Sequence, residues 1–151
     1  METDDDSYGT GAPVHPAFAA HFTDPLYDDP AGEFAPFGSD EGADLLAEWS
    51  DRPGDLREDS TLRRLLAEAF TDPSDLDDVL GGLARPTDDD AGDDVDTATM
   101  VVGAGFTLLR LTGQVDDEGR ELVLAGLRVL TDVYGAHREF EVMRRDLESF
   151  A

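Results

Sequence analysis

Three side chains near the N-terminus are of the types that bind metal ions or transfer protons: His15, His21 and Asp24. The two histidines are six residues apart, which turns them by about 600° in a helix and places them on different faces. This spacing also differs from the i,i+4 pair of an H-E-x-x-H zinc motif. Asp24 joins them only if the segment folds back. We therefore assign no metal site here and leave the role of both histidines open.

The motifs of nucleotide binding and nucleophilic catalysis are incomplete. Gly103-Ala104-Gly105 begins like G-x-G-x-x-G, but Leu108 stands at the third glycine position and no strand is predicted before it. A P-loop needs a lysine, and this sequence contains none. Ser39 lacks the G-x-S-x-G context and fits a helix cap. Cysteine is absent, which excludes thiolate ligands and nucleophiles. We predict no catalytic or cofactor-binding residues and a chain that is not an enzyme.

An aspartate-rich segment, residues 86–96, is the other candidate for cation binding and reads PTDDDAGDDVD. An EF-hand loop has an acid at position 1, glycine at position 6 and Glu at position 12. With Gly92 at position 6, the end positions fall on Thr87 and Ala98. The calcium motif therefore fails. The density of like charges predicts an extended, solvated loop without a dedicated metal site.

The net charge of the chain is −25, and it is unevenly distributed. Residues 1–50 carry a net charge of −12, residues 51–100 of −10 and residues 101–151 of −3. Nucleic-acid and anionic membrane surfaces are disfavoured as partners, because both are bound by clustered Lys and Arg. Three explanations of the acidity remain: a surface solvated for high salt, a basic protein partner that the charge attracts, and cation binding by carboxylates.

The most apolar stretch, residues 97–111, predicts the element that organises the fold. It reads TATMVVGAGFTLLRL and is apolar nearly all round, which is typical of a buried helix. Small residues at 103–105 allow a neighbouring helix to approach closely. The stretch is shorter than the roughly 20 apolar residues of a membrane span, and Arg110 interrupts it.

Amphipathic patterns predict further helices around this stretch. Strand-like alternation and fixed-period repeats are not apparent. We therefore expect an all-α domain over residues 36–151, with about six helices packed around 97–111. The other predicted helices cover residues 39–50 (capped by Ser39 or Asp40), 59–70, a segment that starts at Pro73, 116–134 and 136–150.

Residues 1–35 predict an N-terminal arm rich in Pro, Gly and Asp. Val14, Phe18 and Phe22 recur every four residues, so a short helix is expected from Pro16 to Phe22. The arm is predicted to dock its aromatic side chains on the helical body or on a second copy, which would give a homodimer. No signal peptide is visible, so we expect a cytoplasmic location.

The stretch 37–49, FGSDEGADLLAEW, resembles the opening motif of a family of small, acidic, uncharacterised bacterial helical proteins. That family reads roughly Gly-x-Phe-x-[Asn/Ser]-Asp-x-Ala-x-Asp before an apolar helix. Gly42 stands where the family tends to have Ala, and the family's early Trp-Gly segment is missing here. Some relatives resemble immunity or antitoxin-type partners, and the resemblance itself implies no activity. The matching residues are Phe37, Ser39, Asp40, Asp44, Leu45 and Leu46.

Together these observations predict a non-enzymatic acidic protein that binds a basic protein partner. Two alternatives stay open: acidity that serves only solvation or salt adaptation, and a helical domain that binds a small molecule or acts as an enzyme through a pocket beside 97–111. The predicted partner contacts are Asp40, Asp44, Trp49, Asp88, Asp89, Asp90, Asp93, Asp94 and Asp96.

Overall fold

The computed structural model describes residues 14–28, 34–38, 40–52, 55–56, 60–69 and 91–150, and within these ranges the protein is all-α, as the sequence predicts. Strands do not occur in the described ranges. The predicted helix at Pro73 lies outside them. The helices are α1 (Pro16–His21), α2 (Asp40–Ser50), α3 (Leu62–Ala69), α4 (Ala91–Thr112), α5 (Asp117–Tyr134) and α6 (Arg138–Ser149), with a 3-10 turn at Pro25–Asp28.

Helix α4 is the buried centre of the fold. Every residue from 101 to 110 is buried, including Arg110 at 4% exposure, which confirms the predicted central helix. The helix begins at Ala91, six residues before the predicted start at 97, so the prediction of a loop up to residue 96 is wrong. It ends at Gly113, whose φ of +75° is a backbone conformation that favours glycine.

Helices α2 and α5 pack on opposite sides of α4. A Cβ at Gly103 would lie 2.8 Å from the Cα of Gly42 in α2. A Cβ at Gly105 would lie 2.2 Å from the side chain of Val123 in α5. Two residues of a helix are turned by about 200°, so these two contacts leave α4 in nearly opposite directions. The predicted role of the small residues in close helix packing is confirmed.

One carboxylate caps two helices. Asp116 precedes α5, and its Oδ2 accepts the backbone N–H of Gly119 at 3.1 Å. Its Oδ1 accepts the N–H of Leu62, the first residue of α3, at 2.9 Å. The first N–H groups of a helix have no partner within the helix, so Asp116 satisfies one such group in each. This shared cap holds the starts of α3 and α5 together.

Helices α5 and α6 are antiparallel neighbours, because only three residues separate them. The predicted break at Gly135 is confirmed by its φ of +99°. Phe140, Met143 and Leu147 bury one face of α6 as the spacing predicts. Tyr134 is 45% exposed, so the prediction that it faces inward is wrong at this last turn of α5.

The second half of the predicted arm packs into the core of its own chain. We name residues 14–28 the N-terminal strap. Phe18 and Phe22 are at most 4% exposed, and Val14 at the start of the repeat is 46% exposed. The Phe22 ring lies 5.7 Å from that of Phe106 in α4 and 5.2 Å from that of Phe150 after α6. The strap therefore completes the core between α4 and the end of α6.

Candidate functional site

The outer side of α2 carries an unpaired acidic face. Asp44, Glu48 and Asp51 recur at i, i+4 and i+7, which places them on one side of the helix, and all three are exposed. Asp51 follows the last residue of α2 but continues its hydrogen bonding, since its N–H donates to the carbonyl of Ala47 at 3.3 Å. None of the three carboxylates forms an ion pair with a described residue. We call these residues the α2 acidic face.

Helix α2 runs antiparallel to α4. Phe37, just before α2, lies against Arg110, with the guanidinium carbon 5.3 Å from the ring centroid. Gly42 lies against Gly103. Residue numbers therefore rise along α2 as they fall along α4. At about 1.5 Å per residue, Asp51 is level with the backbone of α4 nine residues before Gly103. The C-terminal end of α2 and the N-terminal end of α4 thus lie at the same end of the molecule.

The predicted partner contacts divide into three groups. Asp44 is exposed on the α2 acidic face. Asp93, Asp94 and Asp96 belong to the first turns of α4 and not to a loop, which corrects the sequence prediction for this segment. Acidic side chains are favoured in the first turns of a helix, because the N-terminal end of the helix dipole is positive. Asp88, Asp89 and Asp90 lie outside the described residues, as do the side chains of Asp40, Asp93, Asp94 and Asp96.

Trp49 is a core residue and leaves the predicted contact set. It is 1% exposed, because it occupies the buried side of α2, opposite the acidic face. The guanidinium carbons of Arg52 and Arg64 lie 4.1 and 5.7 Å from its ring centroid. Its buried indole N–H has no hydrogen-bond acceptor among the described residues. The large apolar surface of the ring and the two arginines account for its position.

The opposite side of the fold has mixed charge. Helix α6 contains three arginines and four acids, whereas α2 contains four acids and no base. Arg138, Arg144 and Arg145 are exposed on α6. The described acids are therefore not spread evenly around the molecule: unbalanced negative charge lies along α2, and near-balanced charge lies along α6.

The acids at the junction between the strap and α6 are engaged in contacts. The Tyr27 hydroxyl donates to Oδ2 of Asp146 at 2.8 Å, and Tyr27 is 2% exposed. Burial raises the pKa of the Tyr27 phenol far above its ordinary value, and the hydrogen bond and charge of Asp146 raise it further. Asp24 accepts the N–H of Leu26 at 3.0 Å and pairs with Arg138. This junction fastens the strap to α6.

A histidine–serine pair at the same junction was not anticipated from the sequence. Nε2 of His21 lies 3.0 Å from the hydroxyl oxygen of Ser149 and 2.7 Å from the carbonyl oxygen of Asp146. A carbonyl can only accept, so this nitrogen must carry a hydrogen. It then cannot take a proton from Ser149 in this arrangement. The pair links the strap to the end of α6 and does not form a nucleophile with its base.

The three candidate metal ligands of the strap contact different groups. Nδ1 of His15 accepts the N–H of Ala17 at 3.1 Å and caps α1, while its backbone N–H donates to the carbonyl of Arg110 at 2.7 Å. His21 and Asp24 make the contacts given above. In the part of the chain that the structure describes, no group of three or more His, Cys, Asp or Glu is placed to hold a metal ion.

A groove of about 410 Å³ lies between α5 and α6. Its floor includes Leu127 and Phe140, and Arg128 and Arg144 line it from the two helices. It does not lie beside the glycines of α4, where Gly103 and Gly105 are in direct contact with α2 and α5. The sequence gives no signal for the groove, since its walls come from two separate helices.

Among the described helices, none combines the length and the apolar character that crossing a bilayer requires.

Comparison with known proteins gives one short similarity. No family model matches the chain, and no solved structure is similar to it. Over 32 residues, 21% of the chain, the sequence is 66% identical to part of the uncharacterised protein YfeS of Escherichia coli (strain K12). The matched stretch spans only 13% of the length of YfeS. This partial match to an uncharacterised protein agrees with the resemblance of residues 37–49 to an uncharacterised bacterial family.

Proposed function

We propose that this chain is a non-enzymatic interaction protein that binds a basic protein partner. The proposed surface is the end of the molecule where α2 and the first turns of α4 lie together. The observation that supports it most is the α2 acidic face: Asp44, Glu48 and Asp51 are exposed, share one side and make no ion pair with a described residue. Like charges left unpaired in one place attract and orient a partner of opposite charge.

The distribution of charge along the chain supports the same end of the molecule. Residues 1–100 carry a net charge of −22, and residues 101–151 carry −3. The antiparallel register brings the acidic first turns of α4 alongside the end of α2. A cytoplasmic antitoxin-like or immunity-like role, which the family resemblance suggests, is the form of this function that we favour, because such proteins bind and neutralise a partner protein.

The test compares two variants with equal changes in charge. The α2-neutral variant carries Asp44→Asn, Glu48→Gln and Asp51→Asn. The control variant carries Asp117→Asn, Glu121→Gln and Glu139→Gln, three acids on α5 and α6 that do not line the groove between these helices. Both raise the net charge by three, so they differ only in where the charge is removed.

Each protein is immobilised and exposed to a lysate of the source cells, and the captured proteins are identified by mass spectrometry. We expect a basic protein that the wild type and the control variant retain and that the α2-neutral variant loses. The dissociation constant of that protein is then measured at two NaCl concentrations, and binding should weaken at the higher one. Equal loss from both variants would contradict the proposal and favour acidity that serves only solvation.

A further inference from the structure

The groove between α5 and α6 has opposite charges at different levels along its length. Because the helices are antiparallel and the turn between them is centred on residue 136, residue 128 faces residue 144 and residue 132 faces residue 140. Arg128 and Arg144 therefore line the groove at the same level from its two sides. Asp132 and Glu141 line it about one turn closer to the Gly135 end. At about 1.5 Å per residue, the two levels are about 6 Å apart.

These charged side chains do not neutralise one another. Arg128, Arg144, Asp132 and Glu141 are exposed, and none of them forms an ion pair or side-chain hydrogen bond with any described residue. Each arginine has an acid three or four residues away on its own helix, a spacing at which pairs often form. The donors of both guanidinium groups and the oxygens of both carboxylates are thus available to a ligand.

The floor of the groove is apolar. Leu127 and Phe140 are at most 2% exposed in the chain and lie beneath the charged rims. A volume of about 410 Å³ is within the range of sites that hold small molecules. Glu148, at the far end, adds a further negative charge, so the lining as a whole carries three acids against two arginines. A simple anion would meet repulsion from these acids, and a simple cation would meet repulsion from the arginines.

From this arrangement we propose that the groove binds an elongated zwitterion. Its carboxylate lies between Arg128 and Arg144, its ammonium group lies at Asp132 and Glu141, and its aliphatic chain runs along the groove between these two levels. Paired guanidinium groups are suited to a carboxylate, because each presents several N–H donors in a fixed plane. Because the two levels of charge are separated by about 6 Å along the helices, the groove favours a ligand with well-separated charges, such as an ω-amino acid or a C-terminal lysine, over an α-amino acid.

The first experiment measures binding of three probes to the full chain by calorimetry at low salt. The probes are 5-aminopentanoate, pentanoate and pentylamine. We expect 5-aminopentanoate to bind about tenfold or more tightly than either single-charge probe, because only it satisfies both ends of the groove. Glycine, whose charges are too close together, should bind no better than pentanoate. Binding of pentanoate as tight as that of 5-aminopentanoate, or no binding of 5-aminopentanoate, would overturn the proposal.

The second experiment locates the site with matched variants. Arg144→Gln and Asp132→Asn should each weaken the binding of 5-aminopentanoate about tenfold, with a circular-dichroism spectrum unchanged from the wild type. Arg145→Gln is the control, since this neighbouring arginine is exposed, pairs with Asp146 and does not line the groove. Equal weakening by Arg145→Gln and Arg144→Gln would show a general charge effect and refute the assignment.

A short peptide with a C-terminal lysine carries the same pair of charges as the free ω-amino acid. Tighter binding of the peptide than of 5-aminopentanoate would assign the groove to a chain terminus, and weaker binding would assign it to a free molecule. Either order supports a zwitterion site. Amidation of the peptide's C-terminus removes the carboxylate and should weaken the binding of the peptide. Unchanged binding of the amide would contradict the role of the arginines.

Discussion

The carboxylates of the strap–α6 junction and those of the α2 acidic face differ in what they contact. The side chains of Asp24 and Asp146 are 15% and 13% exposed, and both accept hydrogen bonds from the strap or from α6. Asp44, Glu48 and Asp51 are exposed and contact no described cation. Both places contain carboxylate side chains. Their surroundings therefore decide whether an acid stabilises the fold or only adds negative charge to the surface.

This difference separates the part of the acidity that the fold requires from the part that is available for other purposes. The junction holds the strap, whose aromatic side chains are buried, against the core. The α2 acidic face forms no ion pair with any residue that the structure describes. Substitutions at the junction should therefore lower the free energy of unfolding, while equivalent substitutions on α2 should leave it nearly unchanged.

The largest expected effect concerns the strap itself. Phe22→Ala should lower the free energy of unfolding by about 3–5 kcal/mol, because it removes a buried ring from the aromatic cluster. Val14→Ala, eight residues earlier in the same repeat, should change the free energy of unfolding by less than about 0.5 kcal/mol, since Val14 is 46% exposed. Urea unfolding followed by the fluorescence of Trp49, the single tryptophan, measures both. Similar small changes in the two variants would show that the strap is dispensable for the fold.

The second effect compares one acid from each place. Asp146→Ala should cost about 1–3 kcal/mol of unfolding free energy, because it leaves the buried Tyr27 hydroxyl without its acceptor. Asp44→Ala should change the same quantity by less than about 0.5 kcal/mol. Both changes in free energy are calculated from the urea midpoints, with one slope of free energy against urea concentration for all variants. An equal cost at the two positions would contradict the distinction between engaged and free acids.

The third effect is a pH dependence that only the junction should show. The raised pKa of Tyr27 means that the folded state holds the phenolic proton at a pH where the unfolded chain releases it. The buried phenol contributes its full stabilisation at pH values below about 10, the pKa of tyrosine in the unfolded chain. Above that pH, the free energy of unfolding falls by about 1.4 kcal/mol per pH unit. Urea unfolding from pH 9 to 11 measures this slope. Tyr27→Phe should reduce it, and an unchanged slope in that variant would assign the dependence to other groups.

The spacing of apolar residues, together with the Gly, Pro and Asp residues at helix ends, is sufficient to predict most of the helices. The apolar run at 101–110, the glycine at 113, the proline at 16 and the aspartate at 116 each act locally, so their consequences are visible in the sequence. The predicted start of α4 is six residues too late. The density of aspartates in residues 86–96 favours a loop, but the helix continues through the second half of this segment. Propensity alone does not decide between these two outcomes.

The contacts of individual side chains were much harder to predict. Trp49 is predicted to contact the partner, whereas the structure buries it beneath Arg52 and Arg64. The junction of Tyr27 with Asp146 joins residues 119 positions apart, and no spacing rule reaches that far. The facing arginines of the groove likewise depend on the antiparallel register of α5 and α6.

The smallest expected effect concerns the α2 acidic face and the response to salt. At low ionic strength the like charges repel one another, and added NaCl screens them, so the melting temperature of the wild type should rise. The α2-neutral variant should melt about 2–4 °C above the wild type at low salt, and this difference should vanish at high salt. The melting temperature of the control variant should rise less, because α5 and α6 also contain five arginines, which offset the repulsion between their acids. Differential scanning calorimetry at two NaCl concentrations gives the comparison. An equal increase in the melting temperature of the two variants would mean that repulsion is spread evenly over the molecule. It would contradict the concentration of unpaired negative charge on the α2 acidic face.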